Sequence, residues 1–169
     1  MKYTQYRKDG KIIVLQGHKW VNVESFPITD DLKENGQDFY ENLRSKEFYH
    51  YKNIDTTNPD APVITTLHGP YLIQDLSVHD YVQINYKKAV KLFKETLKNP
   101  LFLDEQMLDL SFRFEANKLF ESSLKNYKRI YWLDKAFTIN DRFNSPYNFW
   151  AEFIIIEEIN LKLVTIAED

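Results

Sequence analysis

The sequence predicts a single α+β domain over residues 1–169: an N-terminal antiparallel β-meander, two to three amphipathic helices, and a β-rich C-terminal third forming a mixed or antiparallel sheet. Three observations carry this expectation. Asp9-Gly10 and Gly17-His18 are two-residue turn signals of the primed hairpin types, each set between β-rich segments. Tyr86, Val90, Phe93 and Leu97 recur at helical spacing beside a separate lysine face, Lys87, Lys91, Lys94 and Lys98. Ile159, Leu161 and Leu163 alternate with Asn160 and Lys162, the period of a one-sided strand.

The opening meander should comprise Lys2–Arg7, Lys11–Gln16 and Lys19–Glu24. Ile12 and Val14 face one way and Ile13 and Leu15 the other, so the middle strand is expected to be covered on both sides. Thr29 or Asp30 can cap a helix that runs to about Ser45, with Leu32, Gly36, Phe39, Tyr40 and Leu43 on its inner stripe. Residues 52–62 hold two prolines and several turn-forming polar side chains and read as a surface loop. Pro62–Leu67 reads as a strand, and Tyr71-Leu72-Ile73 as another short one. From Ser77 to Asn85 two readings compete: a capping box between Ser77 and Asp80, or an extended Tyr81–Ile84 before a cap at Asn85. Tyr86–Lys98 is a helix ended by Asn99-Pro100. Leu108, Leu110, Phe112 and Phe114 alternate as a strand would, but a helix from Asp104 onward competes with it, and Glu115–Asn126 is more helical. Arg129–Leu133, Ala136–Ile139, Asn148–Glu157 and Ile159–Ile166 read as strands, with a loop over Asn140–Pro146.

A chain of 169 residues suits one core, and 43% hydrophobic with 28% charged residues is an ordinary globular composition. The formal charge of −3 favours neither nucleic acid nor an anionic membrane, and the start of the chain has no apolar run of the signal-peptide kind. No apolar run approaches the ~20 residues of a membrane helix, so a soluble, cytoplasmic protein is expected. The absence of cysteine excludes disulfides, thiolate metal sites and cysteine nucleophiles. The four glycines form no phosphate-cradling loop, no serine lies in a nucleophile-elbow context, and the four histidines lie at no metal-ligand spacing. No cofactor and no metal is therefore expected.

Two groups of residues remain as candidate sites. His68 and His79, with Asp75 and Asp80 nearby, could join an imidazole to a carboxylate for proton transfer, the basis of a small hydrolase or transferase. Phe48-Tyr49-His50-Tyr51, leading into a loop with Asp55 and Asp60, combines interface-type rings with acids that suit a basic partner, so Tyr49, His50, Tyr51, Asp55 and Asp60 are the candidate protein-binding residues. The lysine-striped helix admits a third reading, RNA binding. The scarcity of catalytic motifs favours a small non-enzymatic protein-binding module of the inhibitor or toxin-immunity type, with another protein as its partner.

Overall fold

The structure, a computed structural model, describes residues 4–8, 11–49, 51–53, 65–99, 110–136 and 148–168. β1 (Thr4–Lys8), β2 (Lys11–Gln16) and β3 (Lys19–Pro27) form the expected meander. Gly17 takes φ +60° in the turn before β3, a conformation strained for an L side chain. A second run of strands, β7 (Tyr81–Ile84), β8 (Arg129–Leu133), β9 (Phe149–Ile156) and β10 (Asn160–Glu168), completes a seven-stranded sheet of order β1-β2-β3-β10-β9-β8-β7. Every neighbouring pair is antiparallel. The two halves join where β10 lies along β3, from Asn160 opposite Pro27 to Glu168 opposite Lys19.

The connections cover both faces of this sheet. α2 (Tyr86–Thr96) and α3 (Leu110–Ser123) lie between β7 and β8 in the chain and bury Ala89, Phe93, Phe112, Ala116 and Phe120 against Val21, Phe153, Ile155 and Val164. The Phe93 and Phe120 rings stack with centroids 4.1 Å apart, a contact worth about 0.5–1.5 kcal/mol beyond the area it buries. The opposite face is covered by α1 (Gly36–Arg44), by short 3₁₀ turns, and by a small antiparallel sheet of β4 (Tyr51–Asn53), β5 (Thr65–His68) and β6 (Tyr71–Leu72). There Phe39, Tyr40, Leu43, Tyr49, Tyr71 and Ile73 pack on Tyr131, Leu133, Trp150, Ile154 and Leu163. No described helix is long and apolar enough to cross a membrane.

The α+β expectation holds, with the sheet antiparallel; three elements differ in detail, and one open reading, at Leu110–Phe114, is decided. The helix expected from Thr29 divides into a 3₁₀ turn, Asp30–Lys33, and α1, because Gly36 takes φ +70° and turns the chain between them. Gly36 is exposed and lies on no packing stripe. Leu110–Phe114 is helical: Phe112, Ala116, Leu119, Phe120 and Ser123 fall on one face of α3, and that longer period outweighs the local alternation. β10 is buried on both faces from Leu163 to Ala167, because layers lie above and below the sheet. α2 is rotated from the expected stripe, so Ala89 and Thr96 face inward while Tyr86 lies 41% exposed against Tyr127.

Both readings of 77–85 are realised in succession. Ser77 and Asp80 form a capping box around the 3₁₀ turn Val78–Asp80, Tyr81–Ile84 is β7, and the Asn85 side chain accepts a hydrogen bond from Lys88 N at 2.9 Å to start α2. Ala136 lies outside any strand, and Phe137–Ile139 lie outside the described residues.

Candidate functional site

β9 reads Phe-Trp-Ala-Glu-Phe-Ile-Ile-Ile and is buried along its whole length, so Glu152 is an acid inside an apolar strand. Its side chain has no solvent exposure and points to the face covered by the small sheet. His68, at the end of β5, comes down on it from that sheet, with Nε2 2.6 Å from Glu152 Oε2. The other ring nitrogen, Nδ1, lies 2.9 Å from the Tyr49 carbonyl oxygen. Tyr81, the first residue of β7, donates its hydroxyl to Glu152 Oε1 at 3.0 Å, and the Tyr49 and Tyr81 hydroxyls lie 2.7 Å apart. The Tyr49 ring stacks on the His68 imidazole with centroids 3.7 Å apart. These contacts close a ring of four side chains drawn from a 3₁₀ turn, the small sheet and two strands of the large sheet.

Burial, reinforced by the Glu152 carboxyl, pushes the Tyr49 and Tyr81 phenols well above the ordinary tyrosine range. Tyr40 leans on Tyr81 at 5.9 Å and is pushed up to about 12, mainly by burial, with Arg44 pulling the other way. The floor beside Glu152 is also polar, since Thr165 stands opposite both Asn22 and Glu152 in the strand register. Trp150 walls the cluster, its ring edge-on to His68 at 6.3 Å. Gly69 fits beside that wall only because it has no side chain: a Cβ there would sit 2.5 Å from Trp150 Cε2.

Of the four acid–base candidates, the structure brings only His68 to a carboxylate, and the carboxylate is Glu152. His79 is exposed in the turn before β7, and Asp75 is exposed as well. Asp80 is occupied by Ser77, whose backbone N–H and hydroxyl both donate to it, and by Lys135 at 4.0 Å. Of the protein-binding candidates, Tyr49 is fully buried, its hydroxyl and ring both engaged in the cluster, so it presents no surface. The Tyr51 backbone belongs to β4, whereas His50, Asp55 and Asp60 lie outside the described residues. Glu152 was the residue to find in the sequence. The signal was a lone acid in an eight-residue apolar strand, which is costly unless paired.

A second feature lies on the outer side of the helical layer. α3 is apolar on two sides: its inner stripe is core, while Leu110 and Phe114 on the outside remain 80% and 65% exposed. A groove of about 740 Å³ runs beside Phe114 between α2 and α3, lined also by Tyr86, Lys94, Lys118, Glu121 and Lys125. Lys94 is paired with Glu121 at 3.4 Å, so among the described residues the charge left over in the groove is that of Lys118 and Lys125. No group of three or more histidine, aspartate or glutamate side chains placed to hold a metal ion occurs among the described residues. None of the protein-family models, curated proteins and solved structures compared with the chain matches it.

Proposed function

We propose that the chain is a non-enzymatic protein-binding module, of the kind that inhibits or neutralises its partner, and that its docking face is the groove between α2 and α3. The observation that carries this reading is the outer side of α3, where Phe114 stands exposed beside a concave surface that Tyr86 also lines, and Leu110, four residues earlier, is exposed as well. A helix apolar on two sides is built to be covered on two sides, and large exposed rings beside a cleft are the usual anchors of a protein interface. The partner that fits is an acidic protein segment with apolar anchors. Lys118 and Lys125 line the groove, and Lys87 and Lys88 on α2 and Lys98 just past its end extend the positive field, although the whole chain is weakly acidic. This polarity is opposite to that expected from Asp55 and Asp60.

The test compares captures by the native chain, by Phe114→Asp, and by the double variant Lys118→Glu with Lys125→Glu. A stoichiometric acidic protein held by the native chain should be lost with Phe114→Asp, weakened at least tenfold by the charge reversal, and released more readily as salt rises. Both variants should keep native stability to within about 0.5 kcal/mol, as exposed positions do, whereas Phe112→Ala on the inner face should cost about 3–5 kcal/mol. A partner held equally by all three proteins, or salt-dependent binding of single-stranded RNA in place of protein, would overturn the reading.

A further inference from the structure

Resting on the docking face described above, we propose that the groove between α2 and α3 receives its partner as an acidic amphipathic helix of about four turns, anchored by an apolar side chain at each end. The course of the two helices sets those ends. Phe93 stacks on Phe120 with centroids 4.1 Å apart. Tyr86, two turns earlier on α2, stacks on Tyr127, which follows α3, at 6.2 Å. Lys94 meets Glu121 one position on from the phenylalanine pair in each helix. α2 and α3 therefore run antiparallel, so Tyr86 marks one end of the groove and Phe114 the other. At 1.5 Å per residue the stretch from Phe114 to Tyr127 covers about 20 Å. Between them α3 supplies one continuous wall: Phe114, Asn117, Lys118, Glu121, Ser122 and, just past its end, Lys125 recur at the spacing of a single helix face.

A guest in this groove meets helical walls. The main-chain N–H and C=O groups of a helix are spent on one another, so an extended segment laid here would lose water from its own amides and find nothing to receive them. A guest helix closes its main chain internally and offers side chains alone, which is how amphipathic segments enter grooves between helices. The separation of the two anchors then works as a ruler. About 20 Å is nearly four turns of a helix, yet only about six residues of an extended chain.

The polar lining sets what lies between the anchors. Lys118 stands one turn inside Phe114, and Lys125 lies near the level of Tyr86, while Lys94 and Glu121 neutralise each other between them. Lys98 continues the positive charge at the Phe114 end, as Lys87 and Lys88 do at the Tyr86 end. Acids just inside each anchor of the guest match this arrangement. Asn117 adds a further requirement. Its Nδ2 donates to the Arg113 carbonyl at 2.7 Å, and its Oδ1 is buried with no hydrogen-bond partner among the described residues. A hydroxyl or amide donor on the guest, about one turn from the side chain that meets Phe114, fills that acceptor.

The probe that tests this is a display library of random peptides about 20 residues long, selected on the full chain and counter-selected on Phe114→Asp. Retained peptides should carry two apolar residues about three to four turns apart on one helix face, with acids between them. Made synthetically, each should bind the native chain at least about tenfold more tightly than it binds Tyr86→Ala or the double variant Lys118→Glu with Lys125→Glu. A proline placed at the peptide's centre should weaken binding at least about tenfold, because it breaks the guest helix. Selection on Asn117→Leu should discard the preference for a hydroxyl or amide side chain facing that position. Peptides that depend on Phe114 but hold their anchors about six residues apart, or keep their affinity with the central proline, overturn the helical guest and leave the docking face standing. If no retained peptide depends on Phe114, the docking face is overturned and the helical guest with it.

Discussion

His68 and Glu152 stand 84 residues apart in the chain, yet His68 Nε2 lies 2.6 Å from Glu152 Oε2 with neither side chain exposed. This contact is a polar tie between the two sheets. Removing one partner strands the other in a site that water does not reach, and the cost of breaking a buried pair in this way is about 3–5 kcal/mol. His68→Ala and Glu152→Ala should each lower stability by that amount in urea titrations. The double variant should cost less than the sum of the two by about 0.5–3 kcal/mol. Strict additivity would mean that the pair is not coupled.

Gly69 and Gly17 separate two reasons for a glycine. Both take positive φ, at +55° and +60°, but only at Gly69 would a Cβ meet the Trp150 ring, whereas nothing lies within 4 Å at Gly17. Gly17→Ala should cost about 1–2 kcal/mol for backbone strain alone. Gly69→Ala adds overpacking and should cost about 2–5 kcal/mol. Denaturation midpoints of the two variants, measured side by side, check the difference.

The buried phenols make a prediction about alkaline pH. Tyr40 is raised to about 12, chiefly by burial, and Tyr49 and Tyr81 are raised well above the ordinary value for the same reason. A folded pKa above the unfolded value of ~10 means that the folded state holds more protons between the two. The stabilisation is complete below pH ~10 and is lost as pH climbs through the folded values. Phenolate absorbance should therefore lag behind that of urea-unfolded protein above pH ~10, and the lag should vanish together with the loss of near-ultraviolet dichroism. Superimposable titrations of folded and unfolded chains would contradict the burial of these hydroxyls.

Local signals accounted for much of the architecture. Turn chemistry at Gly17-His18 placed the β2–β3 hairpin, and the cap at Asn85 with the inward Phe93 placed α2, because hairpin turns and helix caps involve only neighbours in sequence. Leu110–Phe114 could not be decided in that way. Alternation over seven residues fits a strand, and only the continuation through Ala116, Leu119 and Phe120 onto the floor of the sheet makes it a helix. Tyr49 counts among the candidate interface rings for the same reason, since nothing near it in sequence shows that Tyr81 and His68 close over it.

The sequence by itself determined the α+β class, the opening meander, the helix from Tyr86 and the exclusion of cysteine chemistry, all of which depend on residue counts or short periods. Only the tertiary structure decided that β10 lies between β3 and β9, that layers cover both faces of the sheet, and that His68 takes Glu152 as its partner in place of His79 or the aspartates beside it. The reason is physical. Periodicity records which way a side chain points relative to its own backbone, whereas pairing across 84 residues depends on which strands become neighbours, and that is settled by the burial of whole faces against one another.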